Sequence, residues 1–248
     1  MAAGKAQGSR AGSIQQPPRP ELNTIVQRME QASRENRERY RAYVITREYR
    51  LYGSGDQNPS SKVSADVSFV PPNTKEFTIT KSEGSSRGET IVQHILEAEQ
   101  KNAATGQSAL SRDNYDFKLE GEGALDGHDC FVLGLNPKRK EKSLIIGLAW
   151  VDKNTYLVHR MQGQLAKMPS WWIKSVEVTV DFSDVSGMWL HTHTSASANV
   201  RIVGQQTLQE NAVKIRAGAM VADATPRRLK TARRPVRRPQ AIIGSFQR

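Results

Sequence analysis

One cysteine, Cys130, is the only thiol in this 248-residue chain, so an internal disulfide and a cysteine-built zinc site are both excluded. It lies in the apolar run HDCFVLGL, where a buried, inert thiol is expected. No stretch approaches the ~18 consecutive apolar residues that a membrane-spanning helix needs. The N-terminal MAAGKAQGSRAGSIQQPPRPE lacks the apolar core of a secretory signal, which taken by itself predicts a cytoplasmic protein. Acidic residues are scarce at both ends. Residues 1–20 carry Lys5, Arg10 and Arg19 with no acid, and the Lys and Arg residues after Gly204 face only Glu210 and Asp223. The formal charge of +11 therefore belongs to the ends, and residues 21–203 are balanced. A uniformly basic fold would argue for a nucleic-acid partner; this neutral middle does not.

Along the chain, residues 1–20 are rich in Ala, Gly, Gln and Pro without periodicity and read as a flexible leader. An amphipathic helix follows, with Leu22, Ile25, Val26, Met29, Ser33, Asn36 and Tyr40 on one stripe. From Ala42 the period changes to two. YVITREYRLYG, KVSADVSFV and KEFTITK predict three strands, each polar on one face. A second helix is predicted after SEGSSRG, with Ile91, Val92, Ile95, Leu96 and Glu99 at helical spacing, lying across the concave face of the sheet. RDNYDFKLEGEG is another strand, and Asp126-Gly127 is a hairpin signal leading into HDCFVLGLNP.

From Lys142 to Gly204 four runs rich in β-branched and aromatic residues are separated by short polar or Pro/Gly breaks, the pattern of an antiparallel meander. All four tryptophans, Trp150, Trp171, Trp172 and Trp189, fall here. In its last strand Leu190, Thr192, Thr194, Ala196, Ala198, Val200 and Ile202 alternate with His191, His193, Ser195, Ser197, Asn199 and Arg201. The small residues on the first of these faces leave space, which Trp150, Met168, Trp172, Phe182 and Met188 either line or fill. His191 and His193 could share a metal ion, but no third ligand has suitable spacing, so no metal and no cofactor is expected. His128, Asp129 and Cys130 with the two histidines form no recognised catalytic spacing, and the protein is not expected to be an enzyme. After Gly204 one more strand or short helix through Ile215 precedes the Arg/Pro-rich TPRRLKTARRPVRRPQ, read as a disordered basic tail able to contact anionic lipid or nucleic acid.

The order of elements, together with AWVDKNTYLVHRMQG and FSDVSGMW, resembles the LolA-like outer-membrane lipoprotein-sorting family, in the wider superfamily with LolB and RseB. The resemblance covers residues 21–203, with 204–248 left as a short extension and tail. It implies an α+β fold: an incompletely closed, strongly curved antiparallel β-barrel whose concave apolar face is covered by helices. It also implies a monomeric, non-enzymatic carrier of the periplasm or cell envelope that holds acyl chains of lipoproteins or other lipids and passes them to a membrane acceptor. The residues expected to line its cavity are Ile91, Ile95, Leu148, Trp150, Met168, Trp172, Val178, Phe182, Met188 and Leu190. An RseB-like envelope-stress sensor and nucleic-acid binding through the tail are the competing readings.

Overall fold

A computed structural model describes residues 20–218. The expected Arg/Pro-rich tail, and all but the last residue of the expected leader, lie outside the described residues. The elements in chain order are α1 (Leu22–Glu38), β1 (Tyr43–Tyr52), β2 (Ser61–Val70), β3 (Thr74–Gly84), α2 (Ser86–Thr105), β4 (Tyr115–Leu125), β5 (His128–Pro137), β6 (Ile145–Asp152), β7 (Val158–Leu165), β8 (Ile173–Val185), β9 (Met188–Val200) and β10 (Gly204–Ala217). The strands form one sheet in the order β3-β2-β1-β10-β9-β8-β7-β6-β5-β4. Every pairing is antiparallel, and β3 and β4 are free edges, so the fold is α+β with an open, curved sheet.

Most of that order is a meander dictated by local turns. Asp126 and Gly127 both take positive φ, as a tight two-residue hairpin between β4 and β5 requires. The non-local step is β10, which returns to pair with β9 on one side and β1 on the other. The folded unit therefore includes β10, through Ala217. The boundary expected at residue 203 cuts off a strand that joins the two halves of the sheet.

Residues directly opposite in an antiparallel ladder share a face. One row of partners runs Val63, Tyr49, Glu210, Thr194, Val180, Met161, Ala149, Leu133, Leu119, crossing nine strands. The next row runs Leu51, Leu208, Ala196, Val178, Gly163, Gly147, Leu135, Phe117. At one end α2 sets Val92 and Leu96 against Tyr49, Val63, Ala65 and Val67. At the other, α1 sets Ile25, Val26 and Met29 against Phe131, Leu133 and Val151. Both helices therefore lie on the same face.

The apolar stripe of α1 accounts for its seat on β5 and β6. Its C-terminal half is held by polar contacts instead. Asn36 donates through Nδ2 to the Trp189 carbonyl at 2.8 Å and accepts from the Trp189 amide through Oδ1 at 2.8 Å, while the Tyr40 hydroxyl donates to the same carbonyl at 3.0 Å. These bonds satisfy main-chain groups of β9 where β10 no longer pairs with it.

Candidate functional site

Between the two helices lies a strip of the inner face built by β7, β8, β9 and β10. Its floor is Met161, Val178, Val180, Thr194, Ala196, Ala198 and Leu208, of which only Val178 is buried. The side chains of β9 there are small, and the Gly147–Gly163 pair beside them has no side chains at all. A Cβ built on Gly147 would overlap the carbonyl oxygen of Gln162, so the two strands approach through bare backbone and the sheet can bend sharply. From Thr194 to Val200 the strip extends about 20 Å along the strand. It is an apolar trough with a helix on either bank.

A buried charge cluster stands at the α2 bank. Arg47, inward on β1 and 3% exposed, pairs with Glu99 of α2 at 2.7 Å and Glu210 of β10 at 3.2 Å. Lys75 of β3 reaches Glu99 at 2.5 Å. Burial works against the charge on Arg47, but Glu99 and Glu210 outweigh it and raise its pKa well above the ordinary value. Burial would raise Glu99, yet Arg47 and Lys75 hold it far below the usual carboxylate range. The cluster ties α2 to three strands, and two cations against two carboxylates leave the trough wall neutral.

His191 sits in the same cluster, with Nδ1 3.9 Å from Glu210 and Nε2 2.6 Å from the Thr194 hydroxyl. His193 instead bonds Asn211 Oδ1 at 2.9 Å through Nδ1. The ladder register shifts between Asp181/His193 and Phe182/His191, so Thr192 is a bulged residue. An extra residue re-aims the side chains on either side of it. His191 therefore joins the Glu210 face and His193 the Asn211 face, correcting the expectation that the two histidines share a face. Burial holds His191 below the ordinary imidazole range, assisted by Arg47 and Lys75 and opposed by Glu210 and Glu99. The folded state thus keeps it neutral, whereas the unfolded chain protonates below about pH 6.5. Stability should fall as pH drops from 7 toward 5, because the unfolded state then binds the extra proton. Urea unfolding at pH 7.5 and 5.5 should show that loss reduced in His191→Gln.

The ten expected cavity residues are not brought together. Val178 alone lies on the floor of the trough. Met188 and Leu190 belong to a buried core with Tyr43, Ile45 and Phe69. Leu148 and Trp150 point to the opposite face, since Ala149 and Val151 between and after them face inward. On α2, Ile91 is 44% exposed and Ile95 half-buried, because Val92 and Leu96 take the sheet side. Met168 is half-buried in the β7–β8 loop, and Trp172 sits beside Trp171 at the end of that loop, both exposed. Phe182 lines a cleft at the other end of the sheet. Residues that sequence reasoning missed are Arg47, Glu99 and Glu210 as a unit, and Gly147 with Gly163. Their signal is weak: an arginine on the inward register of an apolar strand, and two glycines in one hairpin.

At the Trp172 end of the trough, Trp171 is 79% and Ile202 94% exposed, next to Val203. Arg201 bonds the Trp171 carbonyl, joining the β7–β8 loop to the β9–β10 turn, and Lys167 and Lys174 flank the tryptophans in sequence. Among the described residues, one group of three metal-capable side chains converges within 4.8 Å: His128, Asp152 and His159. No helix among the described residues is long and apolar enough to cross a membrane.

No protein-family model and no curated protein matches this sequence. Among solved structures, the chain is similar to a DUF1329 family protein from Desulfovibrio piger, at 12% identity over 80% of this chain and 93% of that one, with a TM-score of 0.41. It is also similar to a domain from Vibrio parahaemolyticus assigned to the outer membrane lipoprotein-sorting proteins, at 13% identity over 77% and 91%, with a TM-score of 0.45. A LolA superfamily protein from Nitrosomonas europaea gives 10% identity over 79% and 93%, with a TM-score of 0.39. At these identities no residue's role carries across.

Proposed function

We propose that this protein is a non-enzymatic carrier of the cell envelope that holds an acyl chain of a lipoprotein or lipid in the trough between α1 and α2. The observation that carries the reading is the strip itself: an inner sheet face with small or absent side chains and a helix packed on each side. Folded monomers ordinarily cover such a face with a helix or with large side chains. Burial of an acyl chain contributes about 0.8 kcal/mol per methylene, so a trough about 20 Å long can hold a chain without specific polar contacts. The neutral charge cluster on one bank fits a cargo that is itself uncharged along its length.

The exposed Trp171, Trp172 and Ile202, with basic neighbours, match the boundary between headgroups and acyl chains, where aromatic rings and snorkelling cations are favoured. That tip stands at one end of the trough, where a chain transferred from a membrane would enter. The motif resemblance of AWVDKNTYLVHRMQG and FSDVSGMW to lipoprotein-sorting proteins supports the same class. Native mass spectrometry of gently purified protein should show bound acyl lipid, and the delipidated protein should bind a fluorescent fatty acid saturably. Protein that carries no lipid and ignores the probe would overturn the proposal.

A further inference from the structure

The structure assigns a divalent transition-metal site to His128, Asp152 and His159, at the end of the sheet remote from the tryptophan tip. Each ligand arrives from a different element. His128 is the first residue of β5, just after the Asp126-Gly127 turn, and Asp152 is the last of β6. His159 is the odd residue of a bulge: the ladder pairs Trp150 with Arg160 and Val151 with Val158, leaving His159 unpaired and re-aimed. The three ligand atoms lie within 4.8 Å of one another. Ligands at about 2.0–2.1 Å from a tetrahedral ion stand about 3.3 Å apart, so closure needs only a small movement. His128, whose side chain is 51% exposed, is free to make it.

The polar atoms of the site are arranged for a cation. Asp152 is 3% exposed, and its Oδ1 already accepts from the Asn154 amide, the Thr155 amide and the Thr155 hydroxyl at 2.9, 2.7 and 3.0 Å. These bonds fix the carboxylate and leave Oδ2 directed at His128 Nδ1, 3.3 Å away. Among the described residues the His159 ring has no hydrogen-bond partner; it is held between His128 and Trp189, with centroids 4.3 and 4.6 Å away. A half-buried imidazole without a polar partner is a ligand in waiting rather than a satisfied core residue. Asp126 and Asp184 add negative charge to the rim, and Arg160, the nearby cation, is engaged by Asp126 and Asp181.

Two imidazoles and one carboxylate select a borderline ion such as Zn²⁺, Co²⁺ or Ni²⁺ over Mg²⁺ or Ca²⁺. Three protein ligands leave a coordination position open. It would face a cleft of about 400 Å³ walled by Phe182 and Trp189. A bound ion would tie the β4–β5 hairpin end to the β6–β7 hairpin end, beside Trp189, which anchors α1 through Asn36. This site is separate from the trough and stands whether or not the protein carries lipid.

The test is calorimetric titration of zinc chloride into chelator-treated, lipid-free protein, with cobalt chloride followed by its visible absorption as a second readout. One ion per chain is expected. His128→Ala and His159→Ala should each weaken binding by at least about tenfold, the double variant should abolish it, and His94→Ala and His193→Ala should leave it unchanged. Absence of saturable binding by the parent protein, or its persistence in the double variant, would overturn the assignment. Circular dichroism checks that each variant is folded. Should His159→Ala not fold, His128→Ala, at an exposed position, decides alone.

Discussion

Replacing Arg47 with methionine is expected to destabilise the protein by about 3–5 kcal/mol, the largest effect of any single polar substitution in the sheet. The guanidinium is 3% exposed and is the only cation facing Glu210 within 4 Å among the described residues, apart from any charge on His191. Without it Glu210, 6% exposed, becomes a buried carboxylate with no fixed counter-charge, and Glu99 keeps only Lys75. The cost is that of orphaned acid rather than of a lost contact, so it should be largely recovered when Glu210 is replaced as well. Arg47→Met with Glu210→Leu leaves the Lys75–Glu99 pair intact and puts two apolar side chains where two charges stood. Urea denaturation of the two single variants and the double variant forms a closed cycle. A loss below about 1 kcal/mol in Arg47→Met would show that the cluster is no better than an exposed pair such as Arg50–Glu48.

That cluster also shows where reading the sequence stops. Simple alternation along YVITREYRLYG places Arg47 on the same strand face as Ile45, Tyr49 and Leu51, and the structure keeps it there. What alternation lacks is the identity of the partner, because Glu99, Lys75 and Glu210 come from a helix and two other strands. The α1 stripe was legible down to Asn36 and Tyr40, since helical spacing is a local property; that these two bond β9 instead of filling core is not. The hairpins at Asp126-Gly127 and through the meander were legible for the same reason. The role of β10 was not, because pairing with β1 spans the length of the chain and leaves no local mark.

Side-chain facing failed wherever the period of two is broken by one residue. The bulge at Thr192 separates His191 from His193, and the bulge at His159 turns that residue toward His128 and Asp152, which is why a histidine with no signal in the sequence completes the only three-ligand group among the described residues. The two tryptophans expected in the cavity do not lie on the trough floor: Trp150 has the wrong parity, and Trp172 lies on a loop end. The trough is defined by what is small: Thr194, Ala196, Ala198 and the paired glycines.

Ala196→Trp should therefore weaken acyl-chain binding severely, on the order of a hundredfold, while leaving the fold intact. Ala196 stands at the centre of the strip, opposite Val178 on one side and Leu208 on the other, and is itself partly exposed. An indole there displaces three or four methylenes of a bound chain. At about 0.8 kcal/mol each, that weakens affinity on the order of a hundredfold. Because the ring enters open space rather than a packed core, stability should change by less than about 1 kcal/mol, unlike the overpacking of a buried site. The control is Ser195→Trp, one residue away on the same strand, which places the same ring on the outer face. Titration of a fluorescent fatty acid into both variants separates the two faces: equal loss in both would mean a general effect on β9, and full binding in Ala196→Trp would move the cargo off this face altogether. Loss confined to Ala196→Trp is the result expected if the proposed trough holds the chain.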